Sequence, residues 1–143
     1  MVRDLMRPAA WVPIHLHQEA ERIRAAVESR SGEGAVLTLS PLWAIASGLP
    51  IYKEFVTGPF GYRVSHLLSA DEAAARRLPW RAGITSFIEA HRPRAILTGQ
   101  DEERVERPLI SAAEELGYHP LETSLDRVTS GKGRTIVLWV PPE

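Results

Sequence analysis

Short apolar runs closed by turn residues alternate with amphipathic stretches along this chain, and one loop near the C-terminus has the length of a hairpin. These features predict an α/β fold: a three-layer open sheet, mostly parallel, with an antiparallel C-terminal hairpin strand. With 143 residues, the chain suits a single domain that buries a core without staples. An apolar fraction of 44% beside a charged fraction of 24% is that of a folded globular protein, so disorder is not expected.

Residues 1–15 read as an N-terminal arm, with Pro8 and Pro13 breaking regular structure, and 16–143 as one α/β domain. The spacing of Leu16, Ala20, Ile23 and Val27 predicts a helix from Leu16 to Arg30. Ala35–Leu39 is a short apolar run between turns, the pattern of a buried strand. Ser40-Pro41 then opens a short helix to Ser47, since serine caps free N–H groups and proline at the first position needs none. Ile51–Val56 alternates and predicts a second, more exposed strand. A turn at Thr57–Gly61 leads to a helix over Tyr62–Leu68.

Ser69-Ala70-Asp71-Glu72 has the spacing of a capping box. A helix over Pro79–His91 and a third strand at Ala95–Thr98 follow. Pro108 opens a helix through Leu116, and Gly117 stops it. Leu121–Leu125 and Thr135–Val140 are the last two strands, joined by the loop Thr129–Gly133. The order of elements is that of a Rossmann-like sheet with the first and third strands side by side at its centre.

Charge excludes one class of partner. Net charge is −1, from 17 basic and 18 acidic residues with mixed signs, so no cationic stripe for nucleic acid exists. The chain has no cysteine, which removes disulfides, thiolate nucleophiles and zinc–thiolate sites. Gly34 to Tyr52 carries no charge, but Pro41, Gly48 and Pro50 interrupt it, so a membrane helix fits badly.

In open α/β sheets ligands sit beyond the carboxyl ends of the strands. That edge should carry Ser40 after the first strand, and Thr98 and Gln100 after the third. Ser40-Pro41 reads chiefly as a helix cap, because no glycine-rich phosphate loop is present. Glu54, Thr57, Gly58, Tyr62 and Arg63 form the densest polar group on a loop. A carboxylate beside an arginine suits a sugar or a phosphate, but reads first as a loop held by one ion pair. His15 and His17 have no third ligand near them, so no metal site is expected. Without a nucleophile elbow or a distinct acid/base pair, no catalytic residue can be picked out. No cofactor is expected either.

The stretch Thr38–Phe60 holds Ser40-Pro41 and then Gly48-x-Pro50-x-Tyr52-x-Glu54-x-x-Thr57-Gly58-Pro59-Phe60. It resembles the soluble C-terminal domain of bacterial multi-spanning glycosyltransferases related to the protein mannosyltransferases. The likeness extends more weakly over residues 9–140. It implies a non-catalytic extracytoplasmic (periplasmic) accessory domain, whose partner is the membrane-spanning part of the same polypeptide. The resemblance further implies a polyprenyl-phosphate sugar donor or a glycan acceptor nearby. Residues Glu54, Thr57, Gly58 and Arg63 would face the membrane part or the sugar. The catalytic acid of such enzymes lies on a loop next to the first membrane helices and has no counterpart here. A freestanding cytoplasmic protein that binds a nucleotide or phosphate beside Ser40 and Thr98 is the second reading. A pure interaction module, including a homodimer, is the third.

Overall fold

A computed structural model of the chain describes residues 12–30, 32–121 and 135–142. Helix α1 (Val12–Glu28) begins before the expected Leu16, with Pro13 tolerated in its first turn. Residues 1–11 of the expected arm lie outside the described residues. Ala20, Ile23 and Val27 are buried at the helical spacing read from the sequence.

The chain then forms β1 (Val36–Thr38), α2 (Pro41–Ala46) and a 3-10 turn at Lys53–Phe55. Next come α3 (Pro59–Val64), running into a 3-10 turn at Ser65–Leu67, and α4 (Ala70–Ala75). A 3-10 turn at Arg81–Gly83 leads into α5 (Ile84–His91), followed by β2 (Ala95–Thr98) and α6 (Glu103–Glu115). Strands β3 (His119–Pro120) and β4 (Val137–Val140) complete the sheet. The capping box forms as read: the Glu72 nitrogen donates to Ser69 Oγ at 3.3 Å, and the Ser69 nitrogen donates to Glu72 Oε2 at 3.0 Å.

Neighbouring strand residues belong to different cores, so helices cover both faces of the sheet. Val36, Leu97 and Leu138 pack with Ile23 and Val27 of α1. Leu37, Ile96 and Trp139 pack with Ile84 and Ile88 of α5 and Leu109 of α6.

The sheet is not the mostly parallel, Rossmann-like one the sequence predicts. Its order is β1-β2-β4-β3. Only β1 and β2 are parallel, with Leu37 opposite Ile96. Strand β4 runs antiparallel to both of its neighbours, β2 and β3. The first and third expected strands do lie side by side, but an antiparallel strand fills the next place.

The physical cause lies partly in Ile51–Val56, which does not form a strand. Val36 donates to the Pro50 carbonyl at 2.7 Å, and Ile51 makes one isolated bridge to Val36. Beyond that the chain coils. Tyr52 and Phe55, three apart, both meet the Phe87 ring edge-on, at 5.2 and 5.3 Å between centroids. Side chains at i and i+3 share a face only in a helical turn, and this shared aromatic contact overrides the alternation. The hairpin differs too: His119–Pro120 pairs with β4, and the Leu121 nitrogen donates to Leu138 O at 2.8 Å. The rest of the expected strand, residues 122–125, and the loop Thr129–Gly133 lie outside the described residues.

Helix α6 begins at Glu103 and not at Pro108, which lies inside it. A proline there has no N–H for the carbonyl one turn back. That carbonyl, of Arg104, instead accepts from the Arg81 guanidinium at 3.0 Å. Among the described residues, no helix is long and apolar enough to cross a membrane.

Candidate functional site

The carboxyl ends of β1 and β2 point to one edge of the domain, and most of the site residues expected from the sequence are there. After β2 the chain turns at Gly99, whose φ of +92° favours glycine. A Cβ at this position would overlap the Thr135 carbonyl oxygen. This turn aims successive backbone N–H groups at one point, an arrangement that holds anions.

The point is already occupied. Glu106, in the first turn of α6 and only 3% exposed, places its carboxyl group there. Oε2 accepts from the Gly99 nitrogen at 2.7 Å, and Oε1 accepts from Gln100 at 3.3 Å and Asp101 at 3.2 Å. Burial pushes the Glu106 pKa above the ordinary carboxyl value, opposed by these backbone hydrogen bonds. Thr98 is likewise engaged inside the protein: its hydroxyl accepts from the Trp139 indole nitrogen at 2.9 Å, and the residue is buried.

Ser40 sits at the start of α2, but its hydroxyl makes no capping bond. Its backbone nitrogen donates to Thr38 Oγ1 at 3.0 Å instead. Gly58 packs against this turn with φ +66°, and a Cβ added to it would lie 3.2 Å from Leu39 O and 3.4 Å from Pro41 Cδ. The Ser40-Pro41 and Gly58-Pro59 turns thus meet, and α2 and α3 start together. Gln100 accepts at Oε1 from the Trp43 indole of α2, at 2.8 Å.

Arg63 pairs with a carboxylate other than the one on its own loop. It donates to Asp101 Oδ1, and Glu102 Oε1 lies 3.9 Å away. The Asp101 side chain is 8% exposed and also accepts from the Glu102 nitrogen at 2.8 Å. Glu54 is elsewhere, 3.9 Å from Lys53 Nζ and in the wall of an apolar groove with Phe55, Trp80 and Phe87. Thr57 is exposed beside Gly58. Of the expected residues, Ser40, Gly58, Arg63, Thr98 and Gln100 share the edge, with Thr57 at its margin and Glu54 apart.

Sequence reasoning missed Glu106, Trp43 and Trp139. The one available signal was a carboxylate a few residues beyond a strand–glycine turn. It was hidden in an acid-rich helix start. Among the described residues, no group of three or more His, Asp or Glu could hold a metal ion. A shallow cleft of about 650 Å³ beside the edge is lined by Arg81, Arg104 and Arg107. There Arg104 pairs with Glu102 at 2.6 Å and Arg107 pairs with Glu103, so two of its cations are neutralised.

No family model, no curated protein and no solved structure matches this chain. Its chemistry must therefore be read from the edge itself, which has closed its own anion-binding turn and offers side chains, not backbone donors, at its rim.

Proposed function

We propose that this chain is a non-catalytic accessory domain of a membrane glycosyltransferase that uses a polyprenyl-phosphate sugar donor. It works on the extracytoplasmic side, next to the membrane-spanning part of the same polypeptide. One observation carries this choice over the nucleotide-binding alternative: Glu106 holds the Gly99, Gln100 and Asp101 nitrogens, the donors that a nucleotide phosphate would need.

The resemblance motif supports the same choice. Its two halves, Ser40-Pro41 and Gly58-Pro59, pack together into one surface feature. Arg63 and Gln100 stand beside it as side chains suited to a sugar hydroxyl or to a protein partner.

Immunoblotting of fractionated cells with an antibody to this chain tests the proposal. The expected species is far larger than the chain alone, is confined to the membrane fraction, and is digested by protease added to the outer side of the inner membrane. A free species of the chain's own size in the cytoplasmic fraction would overturn it.

A further inference from the structure

The opposite edge of the sheet, away from Ser40 and Gly99, gathers a different set of charged side chains. There β1 and β2 begin and β4 ends. The register sets Ile96 opposite Trp139 and His119 opposite Val140, so Arg94 and His119 flank the end of β4. Helix α1 ends at the same edge. The Arg94 guanidinium donates to the Arg30 carbonyl at 3.3 Å, and the Arg94 backbone nitrogen donates to Ala35 O at 3.1 Å. Arg30, Arg94, His119 and Ser29 line one recess of about 320 Å³, together with Val140 and the two prolines that follow it.

No described residue lining this recess is a carboxylate. Among the described residues, neither Arg30 nor Arg94 takes part in an ion pair. Glu28, two positions before Arg30, is held by Arg24 at 2.9 Å. The Nε of Arg94 is shut away from water and has no acceptor. In the cleft at the other edge, by contrast, Arg104 and Arg107 are already neutralised. Two guanidiniums in one recess repel each other, and the last carbonyls of α1 offset only part of that.

We propose that this recess binds the phosphomonoester group of a small soluble molecule, such as a phosphorylated polyol. That group carries about −1.5 to −2 charges at neutral pH and three strong acceptor oxygens. Guanidinium forks hold such oxygens through paired N–H donors, and the His119 ring adds another donor. Ser29 donates its own proton to Ala26 O at 2.9 Å, so its hydroxyl is left to accept from a ligand hydroxyl. The recess lies at the small end of ligand pockets, which run from ~300 to 1,000 Å³. That size suits a short polyol phosphate and is too small for a dinucleotide. Nucleic acid or a membrane would need a broad cationic face, not a recess. The site stands on the far edge from the glycosyltransferase-like motif and does not rest on the accessory-domain reading.

Calorimetric titration of the 143-residue chain with glycerol 3-phosphate, inorganic phosphate and succinate at low salt tests the inference. Glycerol 3-phosphate should bind saturably at one site, and more tightly than succinate. Arg94→Gln should weaken it at least ~10-fold, and Arg94→Lys by less, since the charge stays and the fork is lost. Arg92→Gln, which lies outside the recess, should bind as the wild type does. If Arg94→Gln fails to fold, Arg30→Gln and the amide shifts of Ser29, Arg94 and His119 in the wild type give the same readout. Absence of saturable binding would overturn the site, as would equal binding of succinate or an equal loss with Arg92→Gln. Binding to phosphatidylcholine vesicles that contain phosphatidic acid, without binding of glycerol 3-phosphate, would overturn the soluble ligand. Tighter binding by Glu143→Gln than by the wild type would assign the recess to the chain's own carboxylate and overturn it too. None of these results alters the fractionation outcome, which tests the accessory-domain proposal separately.

Discussion

The Gly99 nitrogen lies 2.7 Å from Oε2 of Glu106, so the turn after β2 binds an anion supplied by its own chain. Removing that group leaves buried N–H groups without partners, which costs more than the hydrogen bonds themselves contribute. Glu106→Ala should destabilise the domain by ~2–4 kcal/mol in urea unfolding. Glu106→Gln should cost less, because one oxygen acceptor remains.

The same residue sets a pH dependence. Burial raises its pKa above the ordinary value of 4.5, so the native state holds this proton more tightly than the unfolded chain does. Its contribution is therefore full below pH 4.5 and is lost as pH rises through the native pKa. The stability gap between wild type and Glu106→Gln should narrow upward from pH 4.5 and then level off. A gap that widens over that range would contradict the assignment.

Two glycines should rank by what surrounds them. At Gly58 an added Cβ keeps an unfavourable φ of +66° but meets Leu39 O at 3.2 Å, a contact that small shifts relieve. Gly58→Ala should therefore cost ~1 kcal/mol or slightly more. At Gly99 the φ is +92° and the Cβ would overlap the Thr135 carbonyl, which is backbone and cannot swing away. Gly99→Ala should be the more damaging of the two by melting temperature.

Arg63 and Asp101 form the ion pair of the rim. Because the Asp101 side chain is 8% exposed, removing its partner leaves a largely buried carboxylate uncompensated. Arg63→Ala should cost ~1–3 kcal/mol, whereas Glu54→Ala, at the residue expected to pair with Arg63, should cost well under that. A double-mutant cycle of Arg63→Ala with Asp101→Asn should show coupling. Strict additivity would contradict the pair.

Pro108 and Arg81 should couple through Arg104. The proline leaves the Arg104 carbonyl without its helical donor, and the Arg81 guanidinium fills the gap at 3.0 Å. With Pro108→Ala in place, an N–H becomes available, and Arg81→Ala should cost less than it does in the wild type. Additivity within ~0.5 kcal/mol would show that the two do not share that acceptor.

What the sequence revealed was local. The capping box at Ser69 and Glu72 needs only residues three apart, and β1 and β2 announce themselves as apolar runs buried on both faces. What it hid depends on partners distant along the chain. Ile51–Val56 alternates like a strand, but Tyr52 and Phe55 turn together toward Phe87, more than 30 positions on. The Arg63 partner is 38 positions away, and nothing local distinguishes Asp101 from the acids around it. The parallel pairing of β1 with β2 was legible from their spacing and the connection between them. The insertion of β4 between β2 and β3 was not, because an antiparallel strand has the same apolar pattern whichever neighbour it takes.

The self-closed turn is tested most directly by following the amide resonances of Gly99, Gln100 and Asp101 while nucleoside diphosphates, inorganic phosphate and a short-chain polyprenyl phosphate are added in turn. With Glu106 in place, these three amides should stay where they are with nucleotides and phosphate alike. Saturable shifts of all three with a nucleoside diphosphate would mean that the ligand displaces Glu106. The domain would then be a nucleotide-binding protein and not an accessory one.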